Sequence, residues 1–257
     1  MRYPATMKHV RDQRLDDLPI DYIRSFRRSP SSLVVLMPAA LGNGREDRSE
    51  IFYTRGRWES EWPESEVVVF ADPAMGFDHR LNGAWFMSRN HDVIAALAEV
   101  VKEIVDELQI QGGGVVVYGS SLGGFGALML AAMVDGAKAV AEVPQLDFGK
   151  WYPQAISDVE KYILEMPLSE FRMVHPERVS VLHRFKFANR IPSFHIITNM
   201  DDPRIVEQRN FMRWVRQSKL PKSGTNLITE HDQSFGHKVL SRKEAVPFIN
   251  HSLNAEV

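Results

Sequence analysis

Residues 113–126 read Gly113-Gly114-Val115-Val116-Val117-Tyr118-Gly119-Ser120-Ser121-Leu122-Gly123-Gly124-Phe125-Gly126. A β-branched run stops at Gly119, and an apolar, small-residue run reaching Val134 begins directly after Ser121. This order dictates a buried strand, a very short turn and a helix lying close against the strand. Gly119-Ser120-Ser121-Leu122-Gly123 fits G-x-S-x-G, a pattern too short to carry weight alone. Its place between such a strand and such a helix gives it weight. A turn this sharp forces Ser121 into a strained backbone conformation. Gly119 and Gly123 have no Cβ to obstruct the neighbouring chain, and Gly124 and Gly126 let the helix approach the strands.

The same rhythm extends outward from this segment. Leu33–Met37, Glu66–Phe70, Lys138–Val143, Ser193–Thr198 and Asn226–Thr229 are short apolar runs bounded by turn residues, as strands buried on both faces require. Asp92 to Leu108 carries an apolar stripe through Val93, Ile94, Leu97, Val100, Val101, Ile104, Val105 and Leu108, with Glu99, Lys102, Glu103 and Asp106 opposite. Leu122 to Val134 is apolar nearly all round and reads as a buried helix. Arg204–Arg216 and Arg242–Leu253 are weaker helical patterns. Strands alternating with helices predict an α/β fold: a mostly parallel central sheet with helices on both faces. Residues 1–257 read as one domain. Residues 1–32 form an N-terminal strand or arm on the sheet edge, and residues 148–188 a helical cap insertion over the active face. An ordinary pair of crossover helices is the alternative for that insertion.

Composition narrows the function classes. The 257 residues include no Cys, and 31 basic against 33 acidic residues leave a net charge of -2. Thiol nucleophiles, disulfide scaffolds and cysteine-based metal sites are excluded. A charge this close to zero gives no electrostatic reason to expect nucleic acid or an anionic membrane as partner. No signal peptide and no apolar run of membrane-spanning length is visible, so the expected location is the cytoplasm. No zinc-protease, P-loop or EF-hand pattern is present, so neither metal nor cofactor is expected. Gly42-Asn43-Gly44 and Gly112-Gly113-Gly114 read as turns. Asp72 and Asp147 stand where strands end and read as turn residues, with substrate contact as the alternative. Trp85, Phe86, Trp151 and Tyr152 read as core aromatics, with a pocket lining as the alternative.

The run Tyr118-Gly119-Ser120-Ser121-Leu122-Gly123-Gly124-Phe125-Gly126-Ala127-Leu128 resembles the nucleophile elbow of α/β-hydrolase-fold serine hydrolases. By element order the resemblance covers about residues 33–254. The wording is also similar to bacterial hydrolase-like proteins of capsule biosynthesis and accessory glycoprotein secretion. The resemblance implies a serine, an acid and a histidine, in that chain order. Ser121 is then the nucleophile. The acid belongs in the loop after Ser193–Thr198, where Asp202 is favoured and its neighbour Asp201 is the alternative. The histidine belongs after the last strand, where His237 is favoured over His231. The oxyanion donors implied are the N–H of Leu122 and that of Ala39 or Ala40, because Pro38 has none. The loop after Met37 departs from the His-Gly-Gly-Gly form of many lipases and esterases. The activity implied is cleavage of an ester, thioester or amide in a small-molecule or glycan substrate through an acyl-enzyme. The alternatives are acyl transfer to a glycan hydroxyl and a catalytically silent interaction module.

Overall fold

A computed structural model describes residues 4–41, 51–78, 80–111, 113–231 and 236–255. Residues 42–44 and Gly112, read above as parts of turns, lie outside these. Eight strands form one sheet: β1 (Lys8–Asp12), β2 (Ile20–Arg24), β3 (Ser32–Leu36), β4 (Ser65–Phe70), β5 (Val115–Ser120), β6 (Lys138–Glu142), β7 (Ser193–Asn199) and β8 (Asn226–His231). Their spatial order is β1-β2-β4-β3-β5-β6-β7-β8. All pairs from β4 to β8 are parallel, and the β1–β2 and β2–β4 pairs are antiparallel. β1 and β2 thus extend the sheet with an antiparallel hairpin. Its seam with β4 is anchored by the buried Glu66, which accepts from Arg24 Nε at 3.1 Å and from the backbone N–H of Phe26 and Arg27 at 2.8 and 2.7 Å.

The central strands are apolar throughout because each face meets helices. Side chains alternate across a strand. Leu33, Val35, Val117, Ala139 and Ile196 therefore join one core with α1 (Val93–Leu108), α2 (Leu122–Ala131), α6 (Val181–Phe187) and α7 (Ile205–Gln217). Val34, Leu36, Val116, Val140 and Ile197 join the other with Ala245, Val246 and Ile249 of α8 (Arg242–Asn254). Every residue of α2 is buried, which is why its sequence shows no polar stripe. Asp92 caps α1 by accepting from the Ala95 N–H at 3.1 Å, and it also pairs both carboxylate oxygens with the fully buried Arg184 of α6 at 2.8 Å each.

Residues 148–188 hold no strand. A 3-10 turn at Phe148–Lys150 is followed by α3 (Pro153–Val159), a π-helical turn at Glu160–Leu164, α4 (Leu168–Val174), α5 (Pro176–Val179) and α6. An isolated bridge ties Asp147, just before the stretch, to Ser180, just before α6. Val181 and Phe185 of α6 are fully buried in the core that contains α2, as a crossover helix requires. The first turn of the stretch instead carries Trp151 and Tyr152 toward the C-terminal ends of the parallel strands.

Candidate active site

The turn between β5 and α2 puts Ser121 at φ 55°, ψ −117°, a conformation that L residues rarely adopt. Two features hold it there. The Ser121 N–H donates to the Glu142 carbonyl at 2.8 Å, and the chain packs against itself without room for side chains. A Cβ on Gly119 would sit 2.2 Å from the Gly123 carbonyl oxygen, and one on Gly123 would sit 2.5 Å from that of Pro38.

The structure brings together Ser121, His237 and Asp202. His237 Nε2 lies 2.9 Å from Ser121 Oγ, and His237 Nδ1 lies 2.8 Å from Asp202 Oδ2. The Asp202 carboxylate is buried, and its Oδ1 accepts the Arg204 N–H at 2.7 Å. A carboxylate on Nδ1 fixes the tautomer that leaves Nε2 free to accept a proton from the serine. Asp201, one residue earlier, is exposed. His231 ends β8 and packs edge-on to Phe248 with ring centroids 6.0 Å apart, outside this group.

Residues that the sequence did not single out hold the histidine loop. Asn199, buried at the end of β7, donates its Nδ2 to the carbonyls of Gly236 and Lys238, both at 2.9 Å. It thereby clamps the chain on either side of His237. Glu142 accepts the Leu240 N–H and, at 2.6 Å, the Tyr118 hydroxyl. Burial pushes its carboxyl above the usual range.

Gln145, three residues past β6, donates Nε2–H to Ser121 Oγ at 2.6 Å. Its Oε1 accepts the indole N–H of Trp85 at 2.9 Å. Trp85 and Phe86 both lie at positive φ, 50° and 57°. Asp72 braces that turn: its Oδ2 accepts from the N–H groups of Ala84 and Phe86 at 3.2 Å each, and its Oδ1 accepts from Ala74. Burial pushes the Asp72 carboxyl up to about 6, against the opposite pull of the three N–H groups. Trp85 and Phe86 are core residues, whereas Tyr152 is 53% exposed. The Trp151 ring lies 5.5 Å from that of His237. Asp147 is paired with Arg172 and caps the following turn through the Gly149 N–H at 3.0 Å.

Of the expected oxyanion donors, the N–H of Leu122 is the first in α2 and has no acceptor within the helix. The Ala39 N–H donates to Thr54 Oγ1 at 3.2 Å. Ala40 is exposed, and its N–H has no partner among the described residues. Beside these residues opens a cavity of about 400 Å³ whose walls include Ala39, Leu122, Gly83, Leu18, Met75 and Phe77. Among the described residues no three His, Asp or Glu side chains are grouped as a metal site requires, and no helix is long and apolar enough to cross a membrane.

No protein-family model matches the sequence, and no curated protein matches it. Solved structures do. A capsule O-acetyltransferase of Neisseria meningitidis serogroup A superposes with a TM-score of 0.65 at 12% identity, over 94% of this chain and 96% of that one. FphF, a fluorophosphonate-binding serine hydrolase of Staphylococcus aureus, gives 0.58 at 13% identity, over 98% and 100%. A glycosylation-associated protein from a Streptococcus agalactiae complex gives 0.62 at 12% identity, over 96% of this chain; the chain spans 46% of that protein's length. Sheet order, helix placement and these likenesses define the α/β-hydrolase fold.

Proposed function

We propose that the protein is a serine hydrolase that cleaves an ester through a Ser121 acyl-enzyme. The observation that carries this reading is the continuous hydrogen-bond chain from Asp202 through His237 to Ser121. In acylation the Ser121 Oγ–carbon bond forms as the hydroxyl proton passes to His237 Nε2. The imidazolium then gives that proton to the alcohol oxygen as the carbon–oxygen bond breaks. Water repeats the sequence, its proton going to His237 and then to Ser121 Oγ as the acid is released. The N–H groups of Leu122 and Ala40 face the oxyanion in this account, and each such donor contributes about 3–4 kcal/mol. Ala39 is the weaker choice because Thr54 already takes its N–H.

The two halves of the ester have different places. The alcohol must lie beside His237, which protonates it. The cavity walled by Ala39 and Leu122, which His237 does not line, then takes the acyl group. The test is turnover of short-chain p-nitrophenyl esters by the wild type and by Ser121→Ala. Loss of turnover in the variant is expected, and equal rates in both would refute the reading.

A second reading shares the same acyl-enzyme and passes the acyl group to a hydroxyl of a glycan instead of water. The partly exposed Trp151 beside His237, with the exposed Tyr152 packed on it, favours it, since aromatic faces suit sugar rings. An interaction module without catalysis is disfavoured by the intact serine, histidine and aspartate.

A further inference from the structure

We infer that the side of the site next to His237 binds an alcohol that carries an anionic group, a carboxylate or a phosphate, and that Arg204 holds that group. The inference rests on the acyl-enzyme reading only for naming which half of the ester lies there. Arg204 is fixed relative to the catalytic group, because its backbone N–H donates to Asp202 Oδ1 at 2.7 Å. Its guanidinium carbon stands 5.2 Å from the Trp151 ring centre and 5.8 Å from that of Tyr152. Trp151 in turn lies 5.5 Å from His237. One aromatic ring therefore touches both the proton donor of the leaving alcohol and the cation.

The charge acts on Glu207, opposing the burial that pushes that carboxyl up, but the carboxylate pairs with Lys150 at 3.8 Å and not with Arg204. Arg172 pairs with Asp147 and Arg209 with Glu230, whereas Arg55 beside the elbow donates to Ser120 Oγ. Arg204 forms no ion pair among the described residues, and its buried Nε has no acceptor. A guanidinium stacked on aromatic faces keeps its planar N–H fork preorganised, a geometry suited to carboxylate or phosphate. Tyr152, largely exposed at the rim, offers a face for the body of the alcohol. An acceptor alcohol in acyl transfer would occupy the same place, so the subsite serves either fate of the acyl-enzyme.

Three acetate esters separate charge from everything else: phenyl acetate, 4-acetoxybenzoate and 4-acetoxyphenyl phosphate. Arg204→Gln should raise KM for the two anionic esters about tenfold or more beyond any change it makes on phenyl acetate, with the loss in KM rather than kcat. Arg204→Lys should restore part of the loss. The larger effect of the two identifies the preferred anion. Equal changes on all three esters, or none on the anionic pair, would overturn the inference. Calorimetry with 4-hydroxybenzoate and phenyl phosphate reads binding without turnover. Binding by the wild type that Arg204→Gln abolishes supports the subsite, and binding that is absent or unaltered refutes it. Failure of every ester to react, with such binding intact, would instead count against the acyl-enzyme.

Discussion

Gln145 donates its amide N–H to Ser121 Oγ at 2.6 Å, and Trp85 decides the orientation of that amide. An indole N–H only donates, so the oxygen of Gln145 must face Trp85 and the nitrogen must face the serine. The hydroxyl is thereby held between Gln145 and His237 before substrate arrives. Gln145→Ala should lower kcat by roughly ten- to a hundredfold with KM little changed, because the lost donor acts at the reacting atom. Trp85→Phe should give a smaller loss, since it frees the amide without deleting it. Steady-state kinetics on a p-nitrophenyl ester checks both, and unchanged kcat in Gln145→Ala would remove the residue from the mechanism.

Asp202 and Asp201 are adjacent in sequence and opposite in surroundings. Asp202→Asn keeps the size but presents the wrong tautomer partner to His237, and should cost about 10⁴ in kcat. Asp201→Asn, on an exposed side chain, should stay within about twofold of the wild type. The same ester assay compares the two, and a larger loss at Asp201 would contradict the geometry.

Asp72 links stability to pH with a definite sign. Its carboxyl titrates near 6 in the folded state and at 3.8 by default. Between those values the native protein binds more protons than the unfolded chain, so this group's contribution to stability falls as pH rises. At about 1.4 kcal/mol per unit, the change is up to about 3 kcal/mol. Urea unfolding at pH 4 and pH 7 should show the wild type losing ground to Asp72→Asn across that interval. A constant difference would place the Asp72 pKa at its ordinary value.

Arg184 and Asp92 join α6 to the first turn of α1. The Arg184 side chain is wholly buried, so Arg184→Met would leave the Asp92 carboxylate without its partner. The expected loss is about 3 kcal/mol or more in denaturant unfolding. The double variant Arg184→Met/Asp92→Asn should recover part of it, because the stranded charge is gone.

Much of this architecture was legible because it is local. The strand runs of Val34, Val67 and Val116 and the period of α1 are properties of neighbouring residues, and all reappear as elements. Ser121, Asp202 and His237 were reachable by element order once the turn at Gly119–Gly123 was read. Gln145 and Asn199 were not, because their roles depend on partners remote in sequence, and of Asp72 only the turn role was legible, not its bonds to Ala84 and Phe86. Gln145 meets Trp85 across 60 residues, and Asn199 meets Gly236 across 37. The available signal was position: each is polar and stands at the C-terminal end of a parallel strand, where an α/β sheet gathers its site. Within the N-terminal strand or arm, the pairing of β1 with β2 as a hairpin is not legible, since five-residue strands carrying charges show little hydrophobic pattern. For residues 148–188 the sequence leaves cap and crossover both open, because helical pattern alone does not say which surface a helix covers.

The most direct test of the acyl-enzyme is covalent labelling of the folded protein with a fluorophosphonate, followed by peptide mapping. One modified residue is expected, Ser121, with labelling abolished in Ser121→Ala and slowed strongly in His237→Ala. A well-folded wild-type protein that takes up no label, or takes it up at another serine, would contradict it.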